Sequence, residues 1–303
     1  MSSAELAARI VKDLDPEDYK LLKVFASGLK EHGFLGRSQL AFFSKEHQDI
    51  IDFRLSKLHR MNLIMKKSSG FGLAMAGLDV IALKMLADRN IVEAMGNSIG
   101  VGKESDVFEA ITPCNEKRAI KFYRIGRISF RDIQRKRNWQ FLSKADSKSL
   151  QQRHRHWLMV NIEAAKREYD ALLRLKDIGA KIPVGYYRAM HCLVLNRIDG
   201  RRLVTFKAKD LPDPEYTLYQ ILKDVRLVYD HGMINADLSE FNVLVDSEDN
   251  PWIIDWPQTV STSHPNSFLL LRRDISNIVR FFNRRFKCDK KDEEAFRTVI
   301  GPT

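Results

Sequence analysis

Cysteine is scarce in this chain, and the three present, Cys114, Cys192 and Cys288, stand far apart. That count and spacing exclude a disulfide framework and a cysteine zinc site, and they suit free thiols in a reducing cytoplasm. Long hydrophobic runs are lacking too. A membrane-spanning helix needs roughly 18 or more consecutive apolar residues. The best stretch, Gly70 to Leu86, is interrupted by Asp79 and Lys84. The N-terminus carries Glu5, Arg9 and Lys12 among its apolar residues, unlike a secretory leader. No internal repeat is visible.

What is present is ordinary in bulk: 303 residues, 44% hydrophobic and 29% charged. Such a chain builds a globular core and, by length, about two domains. The net charge of +11 is the one bulk feature with functional content. A field of that sign draws polyanions, whether RNA, DNA or nucleotide phosphates, although it can also serve solubility alone.

Residues 1–90 read as a small helical domain ending in a linking helix. Asp15-Pro16-Glu17 starts a helix with an apolar stripe at Leu21, Leu22, Phe25 and Leu29, and Gly33 and Gly36 end it. A short segment, Ser38 to Phe43, follows. Ser44 then offers an N-cap for a longer helix through Arg60, with Ile51, Leu55 and Leu58 on one face. "LIMKKSSGFGLAMA" suggests a hairpin around a Lys-Lys-Ser-Ser-Gly turn. Helix, helix, helix, hairpin is the order of a winged helix-turn-helix. Its basic residues Lys45, Arg54, Lys57 and Arg60 are interleaved with Glu46, Asp49 and Asp52, so nucleic-acid contact and plain packing both stay open.

From residue 91 the pattern changes to strands. "GVGKESDVF", Gly100 to Phe108, is a turn whose Gly100 and Gly102 can take the open backbone angles of a phosphate cradle. Equally, any β-hairpin can hold two glycines. The turn lacks the Walker pattern and the dinucleotide fingerprint. Lys121 lies in a strand between Ile120 and Phe122, where a buried ammonium needs a partner and an edge ammonium needs only water. Glu168, near the apolar stripe of a helix from Leu158 to Lys176, is the natural counter-ion, with Glu163 the alternative. A basic stretch, Gly126 to His156, contains Ser129, Ser143, Ser147 and Ser149. Asp237 and Asn242 then occupy a polar loop, and Asp255 ends the run Trp252-Ile253-Ile254. A glycine turn, a strand lysine, a helix glutamate, Asp-x-x-x-x-Asn and a strand-end aspartate form, in that order, the parts of a protein-kinase fold.

"GKESDVF", "IKFYRIGRISF", "NADLSEFNVLV" and "IIDWPQ" resemble the motifs of the RIO family of atypical protein kinases, across essentially the whole chain. The N-terminal winged helix points to the Rio2 branch. The resemblance implies an α+β protein with the winged helix at 1–90 and a two-lobed kinase domain at 91–303. Its N-lobe would span about 91–195 and its C-lobe about 199–303. It implies ATP with Mg2+ or Mn2+, and serine/threonine kinase or ATPase action in maturation of the small ribosomal subunit. The expected partner is a cytoplasmic pre-ribosomal particle of rRNA and proteins, with the chain itself a second phosphate acceptor and no membrane involved. Carried over by position, Gly100, Val101, Gly102, Lys103, Glu104 and Ser105 cover the phosphates, and Val107 lines the nucleotide. Lys121 reaches the α and β phosphates and pairs with Glu168. Asn196 to Ile198 receive the adenine, Asp237 is the catalytic aspartate, and Asn242 and Asp255 hold the metal.

Three departures qualify the resemblance. Asn235 stands where most kinases carry a histidine or related residue, Trp256-Pro257 replaces Phe-Gly, and no Ala-Pro-Glu segment follows. A platform for extended peptides is therefore not expected. The resemblance also offers an aspartyl-phosphate on Asp255, so a protein hydroxyl, water and Asp255 itself all stay open as the first phosphate acceptor. Two other functions remain: a small-molecule phosphotransferase of the aminoglycoside- or choline-kinase type, and a winged-helix nucleic-acid binder with a kinase-like scaffold.

Overall fold

The computed structural model describes residues 1–29, 31–126 and 150–301. The four serines of the basic stretch fall outside them. The chain forms two compact units, Met1–Ala165 with Tyr187–Val194, and Lys166–Tyr186 with Leu195–Thr303. Helices and sheets are mixed in both, as the α+β reading expects.

The first unit opens with α1 (Ser3–Ile10), capped by Ser2 and Glu5 in a reciprocal box. Next comes α2 (Pro16–Gly28), which Asp15 and Asp18 cap in the same way, with Pro16 in the first turn. It stops at Gly28, before the glycines expected to end it. α3 (Arg37–Ser44), α4 (Gln48–Arg60) and the hairpin β1 (Ile64–Lys67) and β2 (Gly70–Leu73) complete a winged helix. Ser44 does not cap α4. Its hydroxyl turns back toward the Ala41 carbonyl, Lys45 takes a left-handed φ of 59°, and the His47 ring accepts the Asp49 N–H instead.

Two cations of α4 are engaged within the domain. Arg54 Nη1 lies 2.7 Å from Asp15 and 2.9 Å from Asp18, and Lys57 pairs with the same buried Asp18. These ion pairs fasten α4 to the start of α2. The outer faces of α3 and α4 instead expose Phe42, Phe43, Ile50 and Phe53.

Helix α5 (Met75–Asp88) leads into the sheet strands β3 (Ala94–Val101), β4 (Ser105–Ile111) and β5 (Lys117–Tyr123). One apolar core runs from Leu22, Phe25, Leu55 and Leu58 through Leu78 and Leu83 of α5 to Phe108, Ile120 and Phe122 of the strands. The winged helix and this sheet therefore share a single hydrophobic centre. A long helix, α6 (Leu150–Arg174), begins in the first unit and continues into the second. It starts ahead of the sequence expectation because its first turns are basic and carry no apolar stripe. Strands β6 (Gly185–Ala189) and β7 (Cys192–Asn196) complete the five-stranded order β3-β4-β5-β7-β6.

In the second unit β8 (Gly200–Arg202) is followed by α7 (Pro214–Asp230), β9 (Met233–Ile234), β10 (Val243–Asp246) and β11 (Pro251–Ile253). The short β12 (Val260–Ser261) pairs with β9, and α8 (Ser267–Phe286) and α9 (Asp292–Ile300) close the unit. Phe268 and Leu269 in the first turn of α8 are exposed. No helix among the described residues is long and apolar enough to cross a membrane.

Candidate active site

The expected residues divide between the units. In the first, the turn joining β3 to β4 is closed by a hydrogen bond from the Gly102 N–H to the Ser105 carbonyl, 2.8 Å long. Gly100 stands opposite Val107 in the ladder, and Val101, at the tip, is exposed. Neither Gly100 nor Gly102 uses the positive φ open to glycine. The value of Gly102 is close approach: a Cβ there would lie 3.2 Å from the Ser105 carbonyl oxygen. Lys103 is exposed, while Glu104 and Ser105 are half-buried.

Lys121 sits on β5, in mid-sheet opposite Val107, and is 6% exposed. That position excludes an edge lysine facing water. Its Nζ lies 4.9 Å from the centroid of the Tyr123 ring on the same strand face, where the ring quadrupole favours the charge.

The second unit holds Glu168, Asp237, Asn242 and Asp255, and hydrogen bonds tie them into one constellation. The Trp256 N–H donates to Glu168 Oε1 at 3.1 Å, so the buried helix glutamate grips the chain directly after Asp255. Trp256 is fully buried and its indole N–H donates to the Ile253 carbonyl at 2.9 Å. Asn242 Nδ2 donates to the Asp237 carbonyl at 2.9 Å and points at Asp237 Oδ2, 3.5 Å away. Because a carbonyl can only accept, this contact fixes which end of the Asn242 amide is NH2. The amide oxygen is thereby turned to the other side.

Asn235 stands at a position expected to support the catalytic loop rather than react. Its Oδ1 accepts from the Asp237 N–H and its Nδ2 donates to the Asp255 carbonyl, both at 3.1 Å. One side chain thus spans the two aspartate loops. Both loops hold a non-glycine residue in the left-handed region, Ala236 at φ 62° and Asp255 at φ 69°. Such backbone costs on the order of 1–3 kcal/mol per residue and persists where surrounding bonds over-determine it.

Asp274 on α8 supports the same loop from beneath and was not anticipated. Its Oδ1 accepts from Arg273 at 3.0 Å, while its Oδ2 is buried with no hydrogen-bond partner. Arg273 also donates to the Ala236 carbonyl at 2.5 Å. Burial pushes the Asp274 carboxyl up to about 6, against the opposing pull of the Arg273 charge. The available signal was a lone acid, Asp274, placed between Arg272-Arg273 and Ile275 on an amphipathic helix.

At Asn196 the side chain is already engaged: Oδ1 accepts from the Val184 N–H at 2.7 Å, while the Asn196 N–H donates to the Val184 carbonyl at 3.1 Å. This braces the half-buried segment from Asn196 to Ile198. The Asp255 carboxylate and the Asn242 amide oxygen could serve a divalent cation. Both are hard oxygen donors, few in number, and fit Mg2+, which keeps much of its water and shares phosphate oxygens. Among the described residues no cluster of three or more His, Cys, Asp or Glu offers a different metal centre.

Residues 106–296 match the family model of the RIO domain, and residues 11–89 match that of the Rio2 N-terminal domain. The chain is 30% identical over 269 residues to the RIO-type serine/threonine-protein kinase Rio2 of Methanocaldococcus jannaschii, covering 88% of this chain and 96% of that one. It is 32% identical over 289 residues to the serine/threonine-protein kinase rio2 of Schizosaccharomyces pombe, covering 93% and 80%. Among solved structures, a Rio2 kinase–ADP/Mg2+–phosphoaspartate complex from Chaetomium thermophilum superposes with a TM-score of 0.79 at 28% identity, covering 97% of this chain and 89% of that one. The chain belongs to the RIO kinase family, in its Rio2 branch.

Proposed function

We propose that this chain transfers the γ-phosphoryl group of ATP, as a serine/threonine-type kinase and ATPase, in the assembly of the small ribosomal subunit. The observation that carries the chemistry is the Asn235 bridge, which sets the Asp237 and Asp255 loops at fixed hydrogen-bond distance. Phosphoryl transfer depends mainly on alignment and charge stabilisation, and such a bridge supplies alignment.

Each residue then has a task. The Lys121 ammonium draws the α and β phosphates, the Ser105 hydroxyl and the amides of Gly100 to Ser105 donate to phosphate oxygens, and Val107 packs on the nucleotide. Backbone groups of Asn196 to Ile198 receive the adenine. Asn242 and Asp255 would hold Mg2+ or Mn2+, which when bound neutralises developing phosphate charge. Asp237 orients the attacking hydroxyl or water and takes its proton. In the covalent route, a carboxylate oxygen of Asp255 bonds to the γ-phosphorus while the bond to the bridging oxygen breaks, and ADP leaves with the electron pair. Water then cleaves the acyl-phosphate, releasing phosphate and restoring the carboxylate. The Chaetomium phosphoaspartate complex supports this route over direct transfer to a serine.

The net charge of +11 and the exposed Phe42, Phe43, Ile50 and Phe53 support docking on a ribonucleoprotein particle. The test is phosphate trapping from labelled ATP, with and without small-subunit particles. Label on the protein that hydroxylamine removes, and that Asp255→Asn abolishes, is expected. Label found only on serine and stable to hydroxylamine would replace the covalent route with ordinary kinase chemistry. Unchanged turnover with particles, together with no binding to them, would remove the ribosomal assignment.

A further inference from the structure

Behind the phosphate turn lies a buried charged cluster outside the set of residues described above. Arg124, directly after β5, is 2% exposed. Its guanidinium forks onto the Asp79 carboxylate of α5, with Nη1 at 2.9 Å and Nη2 at 3.0 Å. Its Nε donates to Asp106 at 3.2 Å, and its own backbone N–H donates to the Glu104 carbonyl at 2.6 Å. His191 completes the cluster, with Nε2 2.7 Å from Asp79 and 2.9 Å from Arg124 Nη1.

The imidazole's Nδ1 is buried and has no hydrogen-bond partner, so the ring's single proton belongs on Nε2, donated to Asp79. Burial keeps this histidine neutral, lowering its pKa more than the Asp79 contacts raise it. Burial also opposes ionisation of Asp79, but Arg124 and His191 outweigh it and hold the carboxyl below its ordinary value.

Arg124 thus touches the phosphate turn twice, through its amide at Glu104 and its guanidinium at Asp106, the neighbours of Ser105. Packing does little to hold that turn. β3 is exposed along most of its length, and its pairing with β4 is irregular on both sides of Ser98. A bidentate ion pair in a dry site is far stiffer than such a strand.

We propose that Asp79, a residue of the N-terminal domain's linking helix, is a positioning residue for ATP: through Arg124 it sets the phosphate-binding turn of Gly102 to Ser105. The nucleotide site is therefore built partly by the N-terminal domain. This inference rests on the ATP-dependent function proposed above.

Asp79→Ala strands a guanidinium in the core and compromises folding, so the informative variants keep shape. Asp79→Asn retains an acceptor but loses the charge, and Arg124→Lys retains the charge but cannot fork. Each is compared with wild type for KM(ATP), kcat and thermal melting. The expected result is a KM(ATP) raised about tenfold, equivalent to ~1.4 kcal/mol, with kcat at saturating ATP kept. A purely structural role would lower melting temperature and active fraction while leaving KM(ATP) at the wild-type value, and that result in both variants overturns the proposal. A wild-type chain that binds no ATP overturns the underlying function and this inference with it, which separates the two failures.

Discussion

Replacing Asn235 by alanine removes both hydrogen bonds that bridge the Asp237 and Asp255 loops, each 3.1 Å long and made by a side chain only 6% exposed. Each bond contributes about 1 kcal/mol net, so the bridge as a whole contributes ~2 kcal/mol. The loops it joins carry left-handed Ala236 and Asp255, which relax once unrestrained. If the loss falls on the chemical step, ~2 kcal/mol corresponds to about a thirtyfold drop in kcat. KM(ATP) should change little, because nucleotide capture is assigned to Lys121 and the phosphate turn. The assay is single-turnover ATP cleavage at saturating nucleotide, with melting followed by circular dichroism. Asn235→His, which offers one donor and one acceptor, should recover part of the rate. A folded Asn235→Ala variant with wild-type turnover would refute the reasoning.

Two further outcomes follow from burial and close packing. The Asp274 carboxyl, ordinarily at 3.8, stands at about 6 in the folded chain. Between those values the folded state binds more protons than the unfolded one, so this group's contribution to stability is full below about pH 4 and falls as pH rises through about 6. The gap amounts to ~3 kcal/mol. Asp274→Asn should flatten that part of a melting-temperature profile between pH 4 and 6, and an unchanged profile would remove Asp274 as its source. At Gly77 on α5, an added Cβ would lie 2.2 Å from the Leu63 carbonyl oxygen and 2.8 Å from Leu73 Cδ1. Gly77→Ala should cost about 3 kcal/mol, since a backbone carbonyl cannot swing aside; denaturant unfolding at the wild-type midpoint would contradict it.

Much of the fold and site was legible because the signals were local. Asp15-Pro16 marks a helix start that capping chemistry dictates, and the stripe Leu21, Leu22, Phe25 and Leu29 does face the core. Asp237, Asn242 and Asp255 were legible as a set because their spacing around short strands is itself the motif. How the supports behind them connect was not legible. Asp79 looked like a charge interrupting an apolar run, and only the fold brings it to Arg124, His191 and Asp106. Asn235 was legible as a loop support, but not that its amide would reach both aspartate loops, donating from Nδ2 and accepting at Oδ1. Arg54 and Lys57 illustrate the opposite limit. Sequence left them open to nucleic acid or to packing, and the structure pairs them with Asp15 and Asp18 at the start of α2.

The most direct measurement is Mg2+-dependent ATP turnover by wild type, Lys121→Ala and Asp237→Asn, each at a temperature where circular dichroism shows the fold intact. Wild type should turn over, and both variants should lose at least about a hundredfold, the usual contribution of a positioned base or phosphate-binding cation. Wild-type-like turnover by Asp237→Asn would contradict the account.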